Sequence, residues 1–264
     1  MFSFQYRKAK TLKEAADFLA KDDEAKPLSG GMTLIPTLKA RLANPTQLID
    51  LNGISELSGI EVKDGALIIG AATRHQQVAS SKVVRDALPA LADLAAHICD
   101  PQVRNRGTLG GSVANNDPAA DYPSAVLGLN AKVITNKREI AAEDFFQGMF
   151  ATALEPGELI VRIAFPLPKK AAYAKFPHPA SGYAMAGVFI AQTASGIRVA
   201  VTGAGPGVFR WTEAEQALTK SMSAAALEKL TLAADDLNED IHGTREYRAQ
   251  LAKVMAIRAA AALA

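Results

Sequence analysis

The sequence predicts an α+β protein of two unequal domains, and three observations carry that reading. Its 264 residues are 49% hydrophobic and 21% charged, enough apolar material for one large or two medium cores. Near residues 167–172 the composition shifts to proline and lysine in "PLPKKAAYAKFPHPASG", which places a boundary there. Beyond it, strand patterns come first and helical patterns after, an α+β layout. The domains are expected at 1–168, with subdomains of about 1–52 and 53–168, and at 172–264.

Residues 3–6 read as extended. In "TLKEAADFLAK", Leu12, Ala15, Ala16 and Leu19 recur at helical spacing, and Thr11 and Glu14 stand as a capping box. "AKPLSGG" is a short strand entering a glycine loop, and "MTLIPTLKARLA" a helix with Pro36 in its first turn. "QLIDL" is a further strand. "GIEVKDGALIIGAAT" sets Lys-Asp-Gly between two alternating apolar runs, the strongest hairpin signal in the chain. "HQQVASSKVVRDALPALADLAAHI" is helical and broken before Pro89, whereas "VRNRGTLGGSVANNDPAADYP" (103–123) has no regular period and reads as a long loop. "PSAVLGLN" is a short helix with Asn130 as C-cap, "AKVITNKREIAA" a hairpin turning at Asn136-Lys137, "EDFFQGMF" a helical turn and "ELIVRIAFP" a strand. In the second domain "YAMAGVFIAQTASGIRVAVTGAG" gives two strands joined at Ser195-Gly196. "WTEAEQALTK", "SAAALEKLTLAADDLN" and "TREYRAQLAKVMAIRAAAALA" are helical by period.

Several functions are excluded by composition. The net charge is +2 with no basic run or stripe, so nothing calls for nucleic acid. No stretch of about 18 apolar residues spans a membrane, and the N-terminus lacks the layout of a signal peptide, making the cytoplasm the expected compartment. The four histidines are scattered, so no catalytic or structural metal site is expected. Cys99, the single cysteine, rules out an intrachain disulfide and reads as a buried structural thiol. "GAGPGV" (203–208) fails as a dinucleotide fingerprint, because Val208 takes the third glycine position and Pro206 removes an amide; it reads as a structural turn.

Two glycine pairs remain, Gly30-Gly31 and Gly110-Gly111. Glycine lets backbone amides approach an anion without a β-carbon in the way, and successive amides form a nest for phosphate oxygens. A helix starting just after Gly31 adds its positive end. Either pair alone also fits a plain tight turn.

"DPQVRNRGTLGGSVANNDPAADYPSAVLGL" together with "LSGGMTLIPTLK" resembles the FAD-binding (medium) subunit of the molybdenum hydroxylases, the carbon monoxide dehydrogenase and xanthine dehydrogenase class, over nearly the whole chain. The resemblance implies a two-part FAD-binding domain of the vanillyl-alcohol-oxidase/PCMH type, followed by a C-terminal domain of the carbon monoxide dehydrogenase flavoprotein type. It implies non-covalent FAD. Pro27, Leu28, Ser29, Gly30, Gly31, Met32, Thr33 and Leu34 would line its adenine-diphosphate part, with amides of Gly30 to Thr33 on the pyrophosphate. Thr108, Gly110, Gly111 and Ser112 would contact phosphate and ribityl oxygens, and valine at either glycine would abolish FAD binding in a folded protein. Asp121 would bind a sugar hydroxyl of FAD, its rival role being N-cap of the following helix. Ile160, Lys175 and Tyr183 would lie near the flavin ring, Tyr183 packing on the isoalloxazine or simply in the strand. Met32 departs from the pattern, since many relatives carry a polar residue or histidine there.

The implied function is electron transfer within a complex, as a dimer of heterotrimers. Electrons come from a large molybdopterin-binding subunit through a small [2Fe–2S] subunit, and pass to NAD+ or oxygen. No residue of this chain is expected to act in acid–base catalysis. A stand-alone flavin-dependent oxidoreductase and a non-catalytic scaffold of the same fold are the alternatives.

Overall fold

The computed structural model describes residues 1–263. The chain opens with β1 (Gln5–Lys8), α1 (Leu12–Ala20), β2 (Lys26–Leu28), α2 (Leu34–Lys39) and β3 (Gln47–Asp50), the strands forming a parallel sheet in the order β1-β3-β2. Thr11 caps α1 by accepting from the Glu14 amide at 3.1 Å, while the Glu14 carboxylate accepts from Lys10 N at 2.7 Å. Ala15 and Leu19 of α1 pack with Ile49 and Leu51 in a small core.

β4 (Ile60–Lys63) and β5 (Ala66–Gly70) form the expected hairpin, with Asp64 at φ 50° and Gly65 at φ 74°. Two consecutive left-handed residues match the right-handed twist of the flanking strands. Next come α3 (His75–Ser80), α4 (Lys82–Ala87), α5 (Pro89–Ala96), α6 (Pro101–Arg106), α7 (Leu109–Asn115) and α8 (Tyr122–Gly128).

The stretch 103–123 is therefore not a long loop, and two local caps are the reason. Asp100 accepts from the Val103 amide at 2.8 Å with Pro101 leading α6, and Thr108 accepts from the Gly111 amide at 3.2 Å to start α7. These helices are too short for an apolar period to show. Gly110 and Gly111 thus sit in the first turn of a helix.

β6 (Lys132–Thr135), β7 (Glu139–Ala141), α9 (Ala142–Phe145), β8 (Phe146–Gly148), β9 (Ala151–Thr152) and β10 (Ile160–Pro166) follow. An antiparallel sheet runs β4-β5-β10-β6-β7 with β10 central. α8 is buried along its whole length, and its Ala125 and Val126 share one core with Leu67 and Ile163 of that sheet and with Phe189 and Ala200 further on.

β11 (Lys170–Pro177), β12 (Ala184–Thr193), β13 (Gly196–Thr202) and β14 (Phe209–Arg210) make an antiparallel sheet in that order, covered by α10 (Thr212–Lys220) and α11 (Arg245–Ala261). The lysine-rich segment read from composition as a connection is thus a strand, paired with β12 from Lys170↔Gln192 to Phe176↔Ala186. Its alanines and lysines give little alternation, and the partner strand supplies what local pattern lacks. Residues 223–238 hold one 3₁₀ turn, Ala224–Leu227, instead of the expected helix. Leu227, Leu232 and Leu237 insert into the core at five-residue intervals, a spacing that fits no single helix face. "GAGPGV" is a turn built into the fold: the amide of Gly203 (φ 82°) donates to Pro118 O at 2.8 Å, and a Cβ there would lie 2.4 Å from Ala184 O. Among the described residues no helix is long and apolar enough to cross a membrane.

Candidate functional site: the cleft between the glycine loops

The fold brings the two glycine loops into contact. The hydroxyls of Ser29 and Thr108 are 3.0 Å apart, and the backbone at Gly30 lies so close to the second loop that a Cβ would sit 2.3 Å from Arg106 O. Gly30 therefore lets one loop rest on the other. Gly31 serves conformation, at φ 73°.

The first loop leaves its amides free. Among the described residues, the amides of Gly30, Gly31, Met32 and Thr33 donate to no protein acceptor, while the carbonyls of Gly31 and Thr33 accept from Ile35 and Thr37. Successive unpaired amides beside a left-handed glycine are the arrangement that binds phosphate oxygens. The second loop differs. The Gly110 amide donates to Ala71 O at 2.9 Å, and that of Ser112 to Thr108 O at 3.0 Å. A Cβ on Gly110 would lie 2.5 Å from that of Ala71. Gly110 is therefore a close-packing glycine, and Gly110→Val strains the fold itself, where the sequence led us to expect a folded protein. The loop offers ligands the hydroxyls of Thr108 and Ser112.

Between the loops lies a cavity of about 640 Å³, within the range of small-molecule and cofactor sites. It is lined by Pro27 to Leu34, by Thr108, Gly110, Gly111 and Ser112, and by Asp121, Ile160 and Tyr183. All were singled out from sequence; Lys175, also singled out, does not line it.

Lys175 instead lies behind the wall, its ammonium 2.9 Å from an Asp121 carboxylate oxygen and donating also to His97 O at 2.9 Å. The Tyr173 hydroxyl donates to the same carboxylate at 2.5 Å. Asp121 does not cap α8 with its side chain. Its carboxyl is turned toward β11 because two buried donors wait there, a stronger draw than one amide. Burial pushes the Asp121 carboxyl up, and the Lys175 ammonium opposes that rise. Burial, then the Asp121 charge, raise the Tyr173 phenol.

Among the lining residues that the sequence reading did not place at the site are His75, Cys99 and Phe150. His75 is buried, its Nδ1 without a partner, and its ring tilts against Tyr122 at a centroid distance of 5.3 Å. Burial, with Arg104 adding to it, lowers its pKa to about 4, so it is neutral at pH 7. Cys99, expected to be buried, is only partly so: it packs against the core and lines the cavity, and desolvation raises its thiol. Phe150 stands at the cavity with φ 54°. No local motif marks any of them. Opposite, burial raises Tyr183 to about 12, keeping the phenol protonated.

The cavity's size, its run of free amides and its hydroxyls suit a molecule with a pyrophosphate and planar rings. The model of the FAD binding domain in molybdopterin dehydrogenase matches residues 2–168, and that of the CO dehydrogenase flavoprotein C-terminal domain matches residues 171–263. The chain belongs to the FAD-binding (medium) subunits of the molybdenum hydroxylases. It is 34% identical to the glyceraldehyde dehydrogenase medium chain of Sulfolobus acidocaldarius, over 97% of this chain and 96% of that one. With the carbon monoxide dehydrogenase medium chain of Hydrogenophaga pseudoflava the identity is 35%, covering 97% and 95%. A chain of the reconstituted CO dehydrogenase from Oligotropha carboxidovorans superposes with a TM-score of 0.92 at 34% identity, covering all of this chain and 99% of that one. As a medium subunit of this family, the protein is an oxidoreductase subunit whose cofactor is FAD.

Proposed function

We propose that this medium subunit carries electrons from [2Fe–2S] clusters of a small partner subunit, supplied by a molybdopterin-binding large subunit, to NAD+ or oxygen. The observation that carries the reading is the run of free amides from Gly30 to Thr33, facing a cavity shared with the second loop. Those amides hold the pyrophosphate, Thr108 and Ser112 offer hydroxyls to phosphate or ribityl oxygens, and Pro27 to Leu34 flank the adenine-diphosphate part. Ile160 and Tyr183 lie against the rings. Asp121 accepts from a sugar hydroxyl of FAD at a lone pair that Tyr173 and Lys175 leave open, and Lys175 acts by positioning that carboxylate. Bound FAD supplies the redox chemistry that these side chains lack.

The chain's own part is binding, orientation and exclusion of water. Its two sequence-defined units, 1–168 and 172–264, close one cavity, with Tyr183 from the second unit lining it. The [2Fe–2S] clusters that feed the flavin belong, on this reading, to the small partner subunit. Purification from the native source tests this reading. FAD, iron and molybdenum should co-elute with this chain, in a dimer of heterotrimers. A metal-free preparation that oxidises its own substrate would favour a stand-alone flavoenzyme.

A further inference from the structure

β8 and β9 form a two-stranded hairpin whose tip, Met149-Phe150, points outward; Phe150 is 57% exposed and yet lines the cavity. A solvent-facing phenylalanine at a loop tip ordinarily takes an extended or right-handed backbone conformation. This one is held at φ 54°, a region that bulky residues rarely occupy. Asn116 holds it there. This C-cap of α7 is itself left-handed and buried; its side-chain Nδ2 donates to Gly148 O at 2.7 Å and Ala151 O at 2.8 Å, and its backbone carbonyl accepts from Phe150 N at 3.1 Å. The base is fixed by Phe145, fully buried and edge-on to Phe146 at 5.2 Å. Strain maintained by so many bonds, at a residue whose ring is more than half exposed, marks a position built for something outside it.

We infer that Phe150 is a stacking residue, its ring lying against a planar ring of the bound FAD. The inference rests on the reading of the cavity as the FAD site. Leu154, Leu159 and Ile160, which follow Phe150 in the chain, line the same cavity, so the hairpin tip has apolar company there. An aromatic face in such company attracts any flat π-system, adenine or isoalloxazine. The helix that starts at Thr108 and carries Ser112 ends at Asn116, which pins this hairpin, so the hydroxyls at one end and the aromatic tip at the other are held in one frame.

Fluorescence titration of the full chain with FAD tests it, with ADP and FMN as separate arms to tell the two rings apart. Phe150→Ala should weaken FAD binding roughly tenfold, about 1.4 kcal/mol, while Phe150→Tyr stays near wild type. The same loss with ADP identifies adenine as the stacked ring; with FMN, the isoalloxazine. Unchanged FAD affinity in Phe150→Ala overturns the inference and leaves the site itself standing, as does an equal loss in Phe150→Tyr. Wild-type protein that takes up no FAD overturns both. A Phe150→Ala chain that keeps its FAD affinity but no longer co-purifies with partner subunits would make the tip a subunit contact instead.

Discussion

Lys175 Nζ lies 2.9 Å from Asp121 Oδ1, with the lysine side chain 5% and the aspartate side chain 3% exposed. The pair joins the cavity wall at the start of α8 to the first strand of the C-terminal sheet. A buried ion pair is weak evidence of net stability, but removing one member leaves a charge with no compensation.

Lys175→Met should therefore destabilise the chain by about 3–5 kcal/mol, and Asp121→Asn combined with Lys175→Met should recover much of that loss. Urea unfolding of the two variants measures it. A Lys175→Met protein of normal stability that has lost FAD would show instead that the lysine touches the cofactor.

The two glycine pairs should separate in mutagenesis. Gly31→Ala forces a β-carbon into a left-handed residue among the free amides, at a backbone cost of about 1–2 kcal/mol, and should lower FAD affinity in a folded protein. Gly110→Val drives side-chain atoms into Ala71 and should lower the unfolding midpoint before any effect on the cofactor can be read. Circular dichroism melts alongside flavin-to-protein ratios distinguish the two.

FAD should be held without a covalent bond. Acid precipitation ought to release all the yellow colour into the supernatant, as FAD and not FMN; colour retained in the pellet would point to a tether, for which His75 and Cys99 on the cavity wall are the candidates.

His75 makes stability depend on pH in a calculable direction. Its folded pKa of about 4 lies below the unfolded value of 6.5, so between the two the unfolded chain binds a proton that the folded chain does not. The contribution is present above about pH 6.5 and is lost as pH falls toward 4, roughly 3 kcal/mol in all. Urea midpoints at pH 8 and pH 5 should differ more in wild type than in His75→Gln. Equal differences would assign the acid sensitivity to other groups.

What the sequence alone determined were the features set by neighbours along the chain. The hairpin at Asp64-Gly65, the cap at Thr11, the helix with Pro36 in its first turn and both glycine pairs are local, since turn geometry and capping depend on a few adjacent residues. The motifs around those glycines also carried the family. Tertiary structure decided what depends on contacts across long separations. β11 exists because β12 pairs with it, and the stretch 223–238 gives up its helical period because three leucines reach the core elsewhere. Gly110 looks like Gly31 in sequence, but Ala71 makes one a packing glycine while the other keeps its amide free. Asp121 was singled out from sequence and lines the cavity; that its carboxylate turns to Lys175 and Tyr173 was not legible, because those partners lie more than 50 residues away and only folding brings their charges out of water together.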